Sequence, residues 1–227
     1  MREVVFDTET TGLDPLSGHR VVEIGCVELM NHVATGQTFH VYLNPQRPVP
    51  TEASMVHGLT DEFLADKPVF SEVVDTFLAF VGEDAPLVAH NASFDMGFIN
   101  AELVRIGFSA LARSRMIDTV AMARRKFPGA PASLDALCKR FNIDLSDRKL
   151  HGALLDARLL AEVYLELRGG RQPDLAIASE VAATAAVVEQ RLREHRPPRL
   201  HAPSDEETSR HEDFLRQIKN PLWKRSG

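Results

Sequence analysis

Apolar and β-branched residues fall first in short runs and only later at helical spacing. Four runs, at residues 3–8, 20–29, 38–43 and 86–90, read as strands. Helical periodicity appears with Val73, Val74, Phe77, Leu78 and Val81, which form one apolar stripe behind Ser71 as a cap. Further helices are predicted near residues 94–107, 116–126, 133–141 and 152–167. Ser133 is placed to cap the 133–141 segment, whose inward face is Leu134, Leu137, Cys138 and Phe141. Strands that come early, followed by a run of helices, predict an α/β fold in which a mixed sheet is flanked by helices.

The pattern changes after Gly169 and Gly170. The remaining 57 residues hold 5 of the 13 prolines but only two aromatics, Phe214 and Trp223, too few for a second packed core. The chain therefore divides into a domain at 1–170, a linker at 171–200 and a flexible C-terminal tail at 201–227. Val181, Ala185, Val188 and Leu192 could form a weak helical stripe ahead of Pro197 and Pro198.

Composition narrows the class of protein. With 227 residues, 44% of them apolar and 26% charged, the chain reads as globular, with no apolar run long enough to span a bilayer. Two cysteines, Cys26 and Cys138, suit a reducing compartment, and a cytoplasmic protein with no membrane partner is expected. The net charge of −6 argues against gripping nucleic acid by bulk electrostatics, though not against binding it through metal ions. The acidity lies in the first 170 residues, which carry 16 basic and 23 acidic side chains. A local basic group at 105–126 is either a phosphate-facing patch or a solvated helix face.

The acids are not scattered at random. Asp7 and Glu9 end the first strand two positions apart, so they point to the same face. Two carboxylates in one small volume repel unless a proton or a cation neutralises them, and hard divalent ions such as Mg2+ or Mn2+ prefer oxygen ligands. A solvated strand edge is the plain alternative for such a pair, as a helix cap is for Asp95, which opens the helix after the fourth strand. Asp156 stands one residue from Leu155 and three from Leu159, bordering the apolar stripe of the last domain helix, an odd place for an unpaired charge.

The segments Asp7-Thr8-Glu9-Thr10-Thr11-Gly12, His90 through Asp95, and His151 through Asp156 resemble the three motifs of the DEDDh (DnaQ-like) 3′-to-5′ exonucleases. The likeness covers roughly residues 1–168 and implies a ribonuclease H-like fold. The tyrosine branch of that group would need a tyrosine where Gly152 stands, so the histidine branch is favoured. The resemblance implies that Asp7, Glu9, Asp95 and Asp156 hold two divalent ions, Mg2+ or Mn2+, and that His151 is the general base. It further implies that Glu52 and His57, in the segment 51–60, contact the terminal nucleotide, with Thr10, Leu13 and Phe94 as neighbours.

Within this group the likeness is nearest to the enzymes that remove mispaired 3′ termini during DNA replication, and it extends into the tail. It implies that the tail docks on the alpha subunit of DNA polymerase III, with Phe214, Ile218, Leu222 and Trp223 as apolar anchors. Gln172, Leu175 and Ile177 resemble a short sliding-clamp binding motif. A small accessory subunit on the catalytic domain is a further partner that the resemblance leaves open. The substrate so implied is a single-stranded or frayed DNA 3′ end. The alternatives are a free-standing nuclease that trims RNA or single-stranded DNA, and a catalytically silent adaptor between polymerase and clamp.

Overall fold

In the computed structural model the described residues are 1–146, 148, 150–170 and 202–218. Five strands form one sheet: β1 (Arg2–Thr10), β2 (Val21–Met30), β3 (Val33–Tyr42), β4 (Leu87–Ala89) and β5 (Met116–Asp118). Their order is β3-β2-β1-β4-β5, with β1–β2 and β2–β3 antiparallel and β1–β4 and β4–β5 parallel. The mixed sheet expected from the sequence is present. It has five strands, however, because residues 116–118 pair with β4 before the helix that was expected to include them begins.

The helices are α1 (Thr51–His57), α2 (Asp61–Leu64), α3 (Phe70–Val81), α4 (Ala92–Arg105), α5 (Thr119–Lys126), α6 (Leu134–Phe141), α7 (Ala153–Leu167) and α8 (Asp205–Gln217). Ser133 caps α6 as expected, its Oγ accepting from the Ala136 N–H at 3.3 Å. Ser71 does not cap α3. That helix starts at Phe70, and the Glu72 carboxylate accepts from the Val69 N–H at 2.9 Å, so an acid in the first turn closes the helix end instead of a hydroxyl before it. Phe70 is thereby buried.

Side-chain alternation on β1 divides the core in two. Val4 and Phe6 pack with Phe70, Val74, Phe77 and Val81 of α3 and with Met96, Ile99 and Leu103 of α4. Val5 packs on the opposite face with Leu137 and Cys138 of α6 and with Ala157, Leu160 and Tyr164 of α7. Helix α7 runs along β1 on that second face. The Tyr164 hydroxyl near its C-terminal end donates to the buried Glu3 carboxylate at 2.7 Å, so its N-terminal end is carried toward the other end of the strand.

The docking of α7 depends on one glycine. Gly25 of β2 sits opposite Asp7, and a Cβ there would lie 2.2–2.4 Å from backbone atoms of Ala153 and Leu154. No side chain other than hydrogen lets the first turn of α7 approach the sheet this closely.

Helix α8 belongs to a separate unit, opened by Ser204, whose Oγ accepts from the Glu207 N–H at 3.3 Å while its own N–H donates to the Glu207 carboxylate at 2.9 Å. Phe214 is exposed on α8 and Ile218 follows the last helical turn in an extended conformation, so these two expected anchors do not share one helix. Gln172, Leu175, Ile177, Leu222, Trp223 and the stripe at 181–192 lie outside the described residues.

Candidate active site

Asp7 and Glu9 continue the face of β1 that looks toward α7, while Thr8 between them faces α4. Asp156 is the fourth residue of α7 and Asp95 the fourth of α4. Two helix N-terminal turns thus deliver carboxylates to the end of one strand, and the partial positive charge at a helix start favours an anion there. Asp95 is buried, and it does not cap its helix. Its Oδ1 accepts from the Thr8 N–H at 3.0 Å and from the Thr8 hydroxyl at 2.8 Å, which aims the carboxylate at β1.

The expected acids therefore converge, although 88 residues separate Asp7 from Asp95 and another 61 separate Asp95 from Asp156. Ligand atoms of Glu9, His151 and Asp156 all lie within 4.8 Å of one another. His151 presents Nδ1 to the Asp156 Oδ2 at 3.2 Å, and about half of its side chain is exposed. Its backbone N–H donates to the Val56 carbonyl at 3.2 Å, which ties it to α1.

Burial and crowding of like charge govern the electrostatics. Desolvation pushes Asp7 well above the usual carboxylate range, with Asp95, Glu9, Asp156 and Glu23 adding to the effect. Glu9 is raised to about 8, chiefly by burial and by Glu23. Asp95 is raised to about 7 by burial, against the pull of its Thr8 hydrogen bonds. The oxygen donors and their unneutralised repulsion fit hard divalent cations, which replace the protons these groups otherwise keep.

A pH dependence follows. The pKa of each of these acids is higher in the folded protein than its unfolded value near ~4, so the folded protein holds extra protons between about pH 4 and about pH 8. Stability contributed by these groups is lost as pH rises through that window. Without added metal, Tm should decline between about pH 5 and about pH 8, and Mg2+ or Mn2+ should raise Tm more at the higher pH. Thermal melts with and without Mn2+ check this, and a metal effect that shrinks with rising pH would contradict it.

A cleft of about 610 Å3 adjoins the acids, lined by Thr8 to Asp14, Ser17, His19, Pro50, Glu52, Ala53, Val56, His57 and Phe94. The five residues expected to contact the nucleotide, Thr10, Leu13, Glu52, His57 and Phe94, all line it. Leu13 is 85% exposed, an apolar surface open to solvent. His57 is buried, its Nδ1 accepts from the Leu59 N–H at 3.1 Å, and its Nε2 looks toward the Thr10 backbone without completing a hydrogen bond. Burial holds its pKa below the ordinary value, so the neutral ring points a free N–H at the cleft wall.

Three residues of the site were not singled out from the sequence. Glu23 is the cross-strand neighbour of Glu9 on β2, buried and paired to His40 at 2.7 Å. An acid between Val22 and Ile24 in the apolar strand Val21–Met30 is the signal that could have found it. Arg148 holds both oxygens of Asp156 at 2.6 Å. His19 packs against Gly12, and its Nδ1 lies 3.1 Å from the Thr11 hydroxyl.

A mixed sheet whose central strand and two helix starts gather four carboxylates beside an open cleft defines a nuclease-type site, and the exonuclease (RNase_T) family profile matches residues 4–164. The chain belongs to this exonuclease family and, within it, to the DNA polymerase III epsilon subunits. It is 47% identical to DNA polymerase III subunit epsilon of Rickettsia felis, over 96% of this chain and 97% of the relative. It is 46% identical to the subunit of the same name from Escherichia coli K12, over 98% of this chain and 97% of the relative. Among solved structures it resembles Exonuclease X in complex with 5′ overhanging duplex DNA, at 28% identity and a TM-score of 0.58, over 73% of this chain and 90% of that one. The chain is thus a 3′-to-5′ exonuclease with the fold expected from its sequence, and exonucleases of this fold generally use divalent metal ions. Among the described residues, no helix is long and apolar enough to cross a membrane.

Proposed function

We propose that this 3′-to-5′ exonuclease removes mispaired 3′-terminal nucleotides from DNA in the cytoplasm, as the proofreading partner of the DNA polymerase III alpha subunit. The observation that carries the reading is the meeting of Asp7, Glu9, Asp95, Asp156 and His151 at the mouth of a cleft that can take one unstacked nucleotide.

Asp7, Glu9, Asp95 and Asp156 are the residues that would hold two divalent ions. Such ions, when bound, lower the pKa of a water and neutralise the charge that develops on the leaving 3′ oxygen. His151 accepts the proton of the attacking water, and its half-exposed position gives that proton a path to solvent. Glu52 and His57 orient the terminal sugar and phosphate, while Leu13 and Phe94 offer apolar surface to the last base. None of these groups reads base identity. Selection comes from fraying, because a poorly paired end unstacks at lower cost and reaches the cleft more often.

Residues 1–170 form the catalytic domain in this reading, 171–200 the linker and 201–227 the polymerase-binding tail. Phe214 and Ile218, with Leu222 and Trp223 beyond the described residues, are its anchors, and Gln172, Leu175 and Ile177 a sliding-clamp contact. A tether raises the local concentration of nuclease at the primer end, which offsets weak DNA affinity from an acidic surface.

The test is degradation of mispaired and fully paired primer-templates with Mg2+, alone and with the alpha subunit. Faster removal of the mispair, enhanced by the alpha subunit, is expected. Deletion of residues 200–227 should leave hydrolysis of single strands within about twofold but abolish the enhancement. Equal degradation of paired, mispaired and RNA ends would favour a trimming nuclease instead. No hydrolysis with any divalent ion would favour an adaptor.

A further inference from the structure

Arg148 lies three residues before His151, in the segment between α6 and α7, and its side chain is only 10% exposed. Its guanidinium is shared among three groups. Nε donates to Asp156 Oδ1 and Nη2 to Asp156 Oδ2, each at 2.6 Å, so both oxygens of the fourth acid are engaged by one planar fork. Nη1 donates to Asp135, a half-exposed carboxylate on α6. Nη2 also meets the His151 Nδ1 at 2.8 Å.

The last contact constrains the imidazole. A guanidinium carries only donors, so the Nδ1 it meets must accept, and the ring proton of neutral His151 then resides on Nε2. Asp156 Oδ2 stands 3.2 Å from the same Nδ1 and can accept from it only when Nη2 is not there. An ion that takes Asp156 as a ligand likewise meets a cation already in place.

We propose that Arg148 is a positioning residue that competes with divalent ions for Asp156, and that its displacement on metal loading releases both the Asp156 carboxylate and the His151 Nδ1. The inference rests on the two-ion reading of the site. It couples release of the His151 Nδ1 to presence of the metal. Asp135 acts as the outer anchor that holds the arginine in reach, since it pairs with Nη1, the one guanidinium nitrogen that does not engage Asp156.

The experiment is calorimetric titration of the full-length protein with Mn2+ at fixed pH, on wild type, Arg148→Gln and, as a charge-matched control, Arg124→Gln on the exposed face of α5. Arg148→Gln should bind Mn2+ about tenfold more tightly, and Arg124→Gln within about twofold of wild type. Circular dichroism confirms folding, and Asp135→Asn, which keeps every group of the acid cluster, should tighten binding in the same direction by a smaller factor. Imidazole 15N shifts of His151 supply a readout that a merely structural role would not move. Without metal the wild type should carry its proton on Nε2, and Arg148→Gln should move it toward Nδ1. Unchanged or weaker Mn2+ affinity in Arg148→Gln, with wild type still binding the ion, overturns the role of Arg148 alone. Failure of wild type to bind Mn2+ overturns the two-ion reading with it.

Discussion

Asp7→Asn is expected to reduce hydrolysis by at least about a thousandfold while raising the melting temperature measured without divalent ions. The loss follows from position. Asp7 stands among Glu9, Asp95, Asp156 and Glu23, and its carboxyl is pushed up by burial and by all four neighbours, so it is the group through which the charges of the site are most strongly linked. Asp7 is one of the residues that would hold the divalent ions, and losing such a ligand should cost about 4 kcal/mol or more of transition-state stabilisation, which corresponds to that factor in rate. The gain in stability has the same origin. Asparagine keeps the shape and removes one charge from a cluster that is held together against its own repulsion, as functional sites often are. Single-turnover degradation of a labelled oligonucleotide and a thermal melt in chelator check the two halves. A lower melting temperature would mean that Asp7 is a structural residue whose charge the fold needs.

Gly25→Ala is the second large effect, and it acts without touching an acid. The added Cβ would stand 2.2–2.4 Å from the backbone of Ala153 and Leu154, where no flexible side chain can yield. The cost is about 1–3 kcal/mol if α7 shifts outward to relieve the overlap. Asp156 rides on the next residues of that helix, and a displacement of about 1 Å in a catalytic group lowers rate about a hundredfold. Gly97 in α4 provides the contrast. A Cβ there meets nothing within 4 Å, so Gly97→Ala should leave hydrolysis unchanged and stabilise the protein by about 0.5–1 kcal/mol. Equal stability of the two variants in urea would show that α7 does not need the close approach at Gly25.

The two substitutions differ in how their sites were found. Asp7 and Glu9 could be chosen from spacing on a strand, because alternation is a local rule and places residues two apart on one face. Asp156 announced itself as a charge bordering the buried stripe of α7, and there it is only 3% exposed. Gly25 carried no such mark, for its need arises from a helix about 130 residues further along the chain. Glu23 and Arg148 were missed for the same reason. Glu23 gains its meaning from the register that pairs it with Glu9, and Arg148 from a segment that folds back on Asp156.

Short elements leave the faintest trace in the sequence. Strand β5 has three residues, one pairing of the sheet edge, and its apolar positions merge with those of α5 in a pattern that periodicity cannot divide. The cap of α3 lies two residues before Ser71 because Glu72 satisfies the helix start from inside the first turn, whereas a serine beforehand is the commoner device.

By itself the sequence determined most of the longer strands and helices, that one domain carries the core, and which acids are candidates for chemistry. The elements, and Asp7, Glu9 and Asp156 as candidates, follow from rules that act within a few residues, namely side-chain alternation, the 3.6-residue helical repeat and charge beside an apolar stripe, whereas Asp95 stands out only through the resemblance of its motif. Only the tertiary structure decided that α7 lies close enough to β2 to bring Asp156 to Asp7 and Glu9, that Glu23 adds a fifth buried carboxylate, and that Arg148 shares Asp156 with His151. Strand register, helix docking and the field of several buried charges are set by groups remote in sequence, and a local pattern carries no record of them.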